Sequence, residues 1–350
     1  MNLETREIAP GYAITRLIRG GWQLAGGHGA IDRDRAVGDL IAAFDAGVTT
    51  FDCADIYTGV EEFYGAFRER LRASRGDQAA RRLRVHTKLV PDLALLAIIR
   101  RADVEAIVDR SLRRLRVEEL DLVQFHWWDY EAPRWLEALS WLDGLRRAGK
   151  ARLIGGTNFD AGHVADILAA GIPLASMQVQ YSVLDRRPEG GFSEFCRSRG
   201  VALLCYGTVA GGFLSDRWLG AAEPAAPLAN RSLVKYKLII EDFGGWPLFQ
   251  ELLGALRRVA DRHGTDIASV ATRLTLDYPG VAAAIVGATS ASHLAANVGA
   301  VRLALTEADR AEVEAVADRR IGPSGGVYEL ERDRQGRHGS IMKYNLNVDA

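Results

Sequence analysis

The sequence predicts an α/β fold: a single (β/α)8 TIM barrel with extra helices and a C-terminal tail over the barrel. Short β-rich runs recur along the chain, each followed by a longer stretch of helical periodicity, the alternation expected of crossover units around a parallel sheet. Eight such runs can be counted, and eight units close into a barrel. Clusters of Pro, Gly and Ser are short and evenly spread over the 350 residues, with no low-complexity segment or fixed-period repeat to mark a linker. Length leaves room for two average domains, but β/α barrels of about 250 residues and more fold as one unit. One domain over 1–350 is therefore expected, with a barrel core at about 14–305 and an extension at 306–350.

In chain order the expected strands lie near 15–22, 48–52, 84–88, 120–126, 152–156, 175–180, 201–206 and 282–286. Helical patterns between them cover 32–46, 61–73, 103–116, 133–148, 160–170 and 191–199, several stopped by a glycine shortly after the last turn. Further helical segments at 246–263 and 267–278 separate the seventh and eighth strands, and 291–300 and 307–319 follow the eighth. Periodicity leaves open which of these are additions to the barrel. The stretch 321–350 is polar, yet it holds Tyr328, Ile341, Met342 and Tyr344, side chains that a purely solvating tail has little reason to keep. It is expected to fold over the barrel.

The 44 basic and 45 acidic side chains nearly cancel, the balance of an ordinary globular protein with no polyanion partner. Basic clusters such as Arg81-Arg82 and Arg113-Arg114 adjoin apolar periodic segments and read as solvated helix ends or loops, so no nucleic-acid partner is expected. The first residues lack an apolar core with a cleavage site, and no run approaches the roughly 18 apolar residues of a membrane span. A cytoplasmic protein without a membrane partner is expected, with association into a homo-oligomer left open. Cys53, Cys196 and Cys205 are scattered, which fits buried small side chains in a reducing compartment. His86 and His126 lack a third ligand, so no metal is expected.

In a barrel of this type reactive groups come from strand ends and the loops that follow them. The second strand ends at Asp52 and runs on to Tyr57, the third ends at Lys88 and the fourth at His126. A carboxylate, a phenol, an ammonium and an imidazole thus converge on one mouth. Together they suit carbonyl reduction, in which hydride reaches carbon while an acid protonates the developing alkoxide. Tyr57 is the natural acid, Lys88 lowers its pKa, Asp52 keeps Lys88 charged, and His126 hydrogen-bonds the substrate oxygen. Bringing a phenol from a pKa near 10 to about 7–8 takes roughly 3–4 kcal/mol. An ammonium about 4 Å away supplies roughly 4 kcal/mol at an effective dielectric near 20, before desolvation opposes it. Singly, each residue has a plainer reading as a turn cap, a surface lysine, a core histidine or a packing tyrosine. Their joint placement points to chemistry.

The runs Phe51-Asp52-Cys53-Ala54-Asp55-Ile56-Tyr57, Thr87-Lys88 and Phe125-His126-Trp127 resemble, in order and spacing, the catalytic motifs of the aldo-keto reductase superfamily. The resemblance runs from about 14 to 305. It implies an eight-stranded barrel that binds a nicotinamide cofactor without a Rossmann domain, with Asp52, Tyr57, Lys88 and His126 as its tetrad. On the cofactor side, Thr157 and Asn158 resemble the family's pair holding the carboxamide, Gln178 its amide partner, and Tyr206 the ring that stacks on nicotinamide. Asn and Gln amides offer both donors and acceptors, and an aromatic face positions a planar ring.

Glycine-containing loops follow the seventh and eighth strands, where barrel enzymes often bind phosphate. Gly207, Gly211, Gly212, Leu214, Ser215 and Arg217 would suit a pyrophosphate, with an ordinary tight turn as the competing view. Gly287, Thr289, Ser290, His293 and Asn297 would face the adenosine end. The resembling family segment often carries a basic residue near 289–290, a Gln at His293 and a Glu at Ala296, and this chain has none of them. NADP(H) is favoured on the resemblance, with NAD(H) open, because a 2′-phosphate without a nearby cation is poorly compensated. Trp22, Trp127, Trp128 and Trp218 lie near strand ends and could wall a small-molecule carbonyl or alcohol substrate, although core packing is equally available to each. The expected function is NAD(P)(H)-dependent interconversion of a carbonyl and an alcohol. The alternatives are a sugar or alcohol dehydrogenase preferring NAD, and a nucleotide-binding regulatory barrel subunit.

Overall fold

The computed structural model describes residues 3–26, 31–288 and 291–347. A hairpin of β1 (Thr5–Ala9) and β2 (Tyr12–Thr15) turns at Gly11, whose φ of +68° suits the one residue type without a Cβ. The barrel strands follow as β3 (Leu17–Gly20), β4 (Thr50–Asp52), β5 (Arg84–Leu89), β6 (Leu120–His126), β7 (Ala151–Thr157), β8 (Ser176–Gln180), β9 (Ala202–Tyr206) and β10 (Val281–Gly287). They pair in parallel in that order and β10 closes onto β3, so the eight expected strands form one closed sheet. Around it run α1 (Arg33–Asp45), α2 (Val60–Arg75), α3 (Asp77–Arg82), α4 (Arg101–Leu115), α5 (Trp135–Arg147), α6 (Ala161–Ala169) and α7 (Phe192–Ser198). Between β9 and β10 stand α8 (Arg231–Phe243), α9 (Gly245–Arg262) and α10 (Ile267–Asp277), and α11 (Leu294–Arg302), α12 (Glu307–Ala317) and α13 (Glu329–Arg332) follow.

Local chemistry explains where several helices begin. The side chains of Asp32, Asp160, Asn230, Asp266 and Thr306 accept hydrogen bonds from the backbone N–H three residues on, satisfying donors that a first turn leaves free. Apolar side chains on the outer face of the sheet and the inner faces of the helices form the main core, with Phe51, Phe67, Phe125 and Leu139 fully buried in it. A second cluster joins α8, α9, α10 and α12 through residues such as Tyr236, Phe249, Leu274 and Val313.

Three features depart from the sequence reading. The first barrel strand ends at Gly20, and Trp22 lies beyond it in a 3-10 turn, Trp22–Leu24. The hairpin was not anticipated: Ile8, Tyr12 and Ile14 pack against Ile18, Leu122, Leu204 and Ile285 of the barrel strands. The Tyr12 ring lies under the guanidinium groups of Arg84 and Arg152, 5.3 and 5.1 Å away, at the starts of β5 and β7. The hairpin therefore seals the amino-terminal end of the barrel and leaves the carboxyl ends open for a site. Helix α8 was also missed, and it borders the cavity described below.

The tail does lie over the barrel. Arg332 donates to the carbonyls of Trp127, Trp128 and Asn158 at 2.5, 2.9 and 2.9 Å and to the Tyr130 hydroxyl at 2.8 Å. Tyr344 accepts from the Leu93 N–H at 2.8 Å, and the Asn347 amide donates to the Val90 carbonyl at 2.9 Å. Beneath these contacts Arg187 grips Glu331 with two hydrogen bonds of 2.8 and 3.0 Å, both side chains being buried. Burial opposes the Glu331 charge, but the Arg187 bonds prevail and hold its pKa at about 2. A carboxylate depressed below its unfolded value contributes stability above that value and loses it as pH falls through the folded one. Glu331→Gln is expected to cost about 1–3 kcal/mol near neutral pH, because it removes one charge-assisted pair while Asp185 still holds the Arg187 guanidinium. In urea unfolding, wild type should lose roughly 3 kcal/mol more than this variant as pH drops from about 6 to about 2.

Candidate active site

Strand register assembles the polar mouth. Gly20 pairs with Asp52, Lys88 with Gln124, His126 with Thr157 and Thr157 with Gln178, so polar residues at the ends of β4 to β8 meet at one level. Within β6 the period of two puts Leu122, Gln124 and His126 on the same face. At the carboxyl ends of the strands opens a cavity of about 770 Å³, lined by Asp52, Tyr57, Lys88 and His126 among others.

The four residues are brought together. Lys88 Nζ donates to Asp52 Oδ2 at 2.6 Å and to the Cys53 carbonyl at 2.8 Å, both side chains 5% exposed. The other carboxylate oxygen, Oδ1, accepts from the amides of Gln124 and Gln178 at 2.8 Å each. Burial opposes the Lys88 charge, but Asp52 outweighs it and raises the lysine pKa, so the ammonium persists. Lys88 Nζ stands 4.9 Å from the centroid of the Tyr57 ring, which meets Trp22 edge-on at 5.1 Å. Here the structure departs from the electrostatic expectation: burial raises the Tyr57 pKa by more than Lys88 lowers it. Desolvation of the phenolate is the larger effect, and the phenol keeps its proton.

His126 Nδ1 lies 3.0 Å from the Thr157 carbonyl oxygen. A carbonyl only accepts, so in the neutral ring this contact places the proton on Nδ1 and leaves Nε2 as an acceptor. Burial, with Arg332 nearby, holds the imidazole pKa down at about 3, and Nε2 has no protein partner among the described residues. Trp128 and Tyr328 meet the ring edge-on at 4.3 and 5.6 Å.

Residues expected on the cofactor side also line this cavity: Thr157, Asn158, Gln178, Tyr206, Gly207, Gly212, Leu214, Ser215, Arg217, Gly287, His293 and Asn297. Thr289 and Ser290 lie outside the described residues. Gln178 directs both amide protons inward, to Asp52 and to Gln124 Oε1 at 3.0 Å, which leaves its oxygen for a ligand. Asn158 does the reverse: its oxygen accepts from the Tyr206 hydroxyl at 3.0 Å, which leaves its NH2 to donate. Asn158 holds a left-handed backbone with φ +62°, a conformation in which Asn is several-fold enriched. Among the described residues this leaves an unpartnered acceptor beside an unpartnered donor, with the buried Thr157 hydroxyl also unpartnered, which matches the donor and acceptor set of a primary carboxamide. In the next loop a Cβ at Gly207 or Gly211 would lie 2.6 or 2.8 Å from the Tyr236 side chain, so only glycine lets α8 pack this close.

Two expectations are corrected. Trp127 does not line the cavity; as the residue after His126 it points to the opposite side, fully buried, stacked on Phe125 at 5.8 Å and donating to the Ala132 carbonyl. Trp218 packs on Phe213 and Trp246 instead. Trp22 and Trp128 do line the cavity, together with residues the sequence reading passed over: Gln23, Ser232, Lys235 and Tyr328. Gln124 was also missed, although a polar residue on the inward alternation of β6 was a readable signal.

The comparisons agree with this architecture. The Aldo/keto reductase family model matches residues 16–318, and the chain belongs to that family. It is therefore an oxidoreductase of the carbonyl and alcohol type. Protein tas of Escherichia coli K12 is 33% identical over 250 residues, covering 65% of this chain and 68% of that protein. The NADH-specific methylglyoxal reductase of the same organism is 24% identical over 321 residues, covering 87% of this chain and 95% of the relative. The solved glycerol dehydrogenase of Gluconobacter oxydans superposes with a TM-score of 0.74 at 26% identity, over 92% of this chain and 97% of its own. No described helix is long and apolar enough to cross a membrane, and among the described residues no cluster of His, Cys, Asp and Glu could hold a metal ion.

Two measurements test the electrostatics. Asp52→Asn strands the Lys88 ammonium, so the variant should lose about 3–5 kcal/mol of stability in denaturant unfolding. The His126 ring resonances should stay nearly constant between about pH 5 and 8, because an imidazole with a pKa of about 3 does not titrate there.

Proposed function

We propose that this protein interconverts an aldehyde or ketone and its alcohol with a nicotinamide nucleotide, in one domain whose tail completes the site. The carrying observation is the single cavity that joins Tyr57, Lys88, Asp52 and His126 to the paired amides of Asn158 and Gln178. When bound, the reduced nucleotide supplies the hydride. Asn158 and Gln178 would hold its carboxamide, the Tyr206 face its ring, and Gly212, Ser215 and Arg217 its phosphates.

The remaining chemistry belongs to this chain. Tyr57 donates its proton to the oxygen of the substrate, a step its raised pKa suits, since the acid stays protonated through neutral pH. Lys88, held charged by Asp52, stabilises the phenolate left behind. His126, protonated on Nδ1, offers Nε2 to a hydroxyl hydrogen and so orients the alcohol form. Trp22, beside Tyr57, and Trp128, beside His126, would wall the substrate.

The polar lining beyond the glycine loop supports NAD(H) over the NADP(H) preference that family resemblance implies. Asp216, which also binds Arg257 and the Ile267 N–H, and Asp266, which caps α10 through one oxygen, stand there with Arg217, and their remaining acceptor capacity suits a ribose diol better than a 2′-phosphate. The relative named an NADH-specific methylglyoxal reductase is consistent with that choice.

Tyr57→Phe should lower carbonyl turnover by about 10²–10⁴-fold, the usual contribution of a positioned acid. Fluorescence titration should find NADH bound by wild type and variant alike, and more tightly than NADPH. Binding of neither nucleotide would overturn the function; tighter NADPH binding would overturn the cofactor choice alone.

A further inference from the structure

Helix α8 places Lys235 in the same cavity, where no part of the proposed chemistry uses it. Its side chain is 16% exposed, and its Nζ is surrounded by the rings of Tyr206, Tyr236 and Tyr328, whose centroids lie 5.0, 5.6 and 5.9 Å away. Its nearest carboxylate is Glu331, at 3.9 Å. That contact is too long for a hydrogen bond, and both Glu331 oxygens are already engaged by Arg187. Among the described residues Lys235 Nζ makes no hydrogen bond, so three N–H donors are held in an apolar cage without an acceptor. Burial accordingly pushes the lysine pKa down, in spite of Glu331.

The position of this cation is specific. Tyr328, one wall of the cage, also meets the His126 ring edge-on, and Tyr206, another wall, carries the hydroxyl that fixes Asn158. Lys235 therefore stands beside the reacting mouth. Lys88, the ammonium within the tetrad, is neutralised by Asp52. At the rim, Arg231 is tied to the tail through the Ile341 carbonyl and Lys343 adds a further cation to the lining.

Resting on the carbonyl reductase reading above, we propose that Lys235 is a specificity-determining residue that binds a carboxylate on the substrate, so that the preferred substrates are aldehydes or ketones carrying a carboxylate. The unfilled N–H donors of the Lys235 ammonium match the two acceptor oxygens of a carboxylate. The incoming carboxylate supplies the missing acceptor, and the aromatic cage suits a planar or short linker between carboxylate and carbonyl.

The test compares 4-carboxybenzaldehyde with its methyl ester, which presents the same aldehyde without the charge. Wild type should favour the carboxylate in kcat/KM by about ten-fold or more, chiefly through KM, as expected for a charge-assisted hydrogen bond. In Lys235→Met that ratio should fall toward one, and Lys235→Arg should restore part of it. Because the ratio is measured within each protein, altered folding of a variant does not mimic the effect, and the wild-type comparison needs no variant. Equal kcat/KM for the two aldehydes in wild type overturns the carboxylate assignment while leaving the reductase reading intact. An unchanged ratio in Lys235→Met, or an effect confined to nucleotide affinity, assigns the lysine elsewhere. Absence of turnover with both aldehydes and a wider carbonyl panel overturns both readings.

Discussion

The site depends on one buried ion pair. Asp52 and Lys88 lie 2.6 Å apart and almost fully out of water. Removing each charge from water costs several kcal/mol, which mutual attraction offsets only when the remaining hydrogen-bonding capacity is filled. Here it is filled by parts of four other chain positions: the amides of Gln124 and Gln178 on one carboxylate oxygen, and the Cys53 carbonyl and the Tyr57 ring around the ammonium. Asp52 and Lys88 lie on β4 and β5, the two amides on β6 and β8, and Cys53 and Tyr57 follow β4, so the pair can form only when the barrel has closed in register. Closure and chemistry are in this sense one requirement.

The same economy extends outward through the tail. Arg332 holds the backbone carbonyls just after His126 and at Asn158, so it fixes residues on both the proposed proton-transfer side and the proposed carboxamide side. Glu331, one residue earlier, stands between Arg187 and the Lys235 cage. Adjacent tail residues thus help to set the backbone of one half of the cavity and the charge of the other. In families built on a common barrel, loops and extensions carry specificity while strand ends carry chemistry. In this chain the extension is wired into both.

Most of this frame was legible in the sequence because its signals are periodic and local. Eight β-rich runs separated by helical patterns gave the barrel, and ionisable residues closing three of them gave the tetrad. The parts missed have different causes. The hairpin carried a turn signal in Pro10-Gly11, but no helical pattern follows either of its strands, so it lacks the strand–helix alternation that marks the barrel units, and its role appears only where Tyr12 meets Arg84 and Arg152 across the barrel floor. Helix α8 did carry readable signals, an Asn230 cap and apolar residues at helical spacing such as Tyr236, Ile239, Ile240 and Phe243, but they follow a long irregular stretch and were passed over. Trp127 was misassigned because proximity to a strand end says nothing about which side of the sheet a residue faces, which alternation from His126 decides. The partners of Gln178 could not be read at all, since they depend on cross-strand register.

Tyr57 shows how residues brought together as expected can still leave the balance of forces open. A lysine near a phenol was expected to lower its pKa, and it does, but burial acts on the same group with the opposite sign and prevails. The expectation used the distance between the charges and omitted the water that the cavity excludes. For the proposed chemistry the outcome is coherent: an acid that must deliver a proton at neutral pH is better kept protonated, with the cation placed to stabilise the phenolate only as it forms. Lys88 then contributes more to the transition state than to the resting site, because the charge it stabilises is absent until the proton leaves. In the oxidative direction the same phenol must first lose its proton, so alkaline conditions favour alcohol oxidation and neutral conditions favour carbonyl reduction.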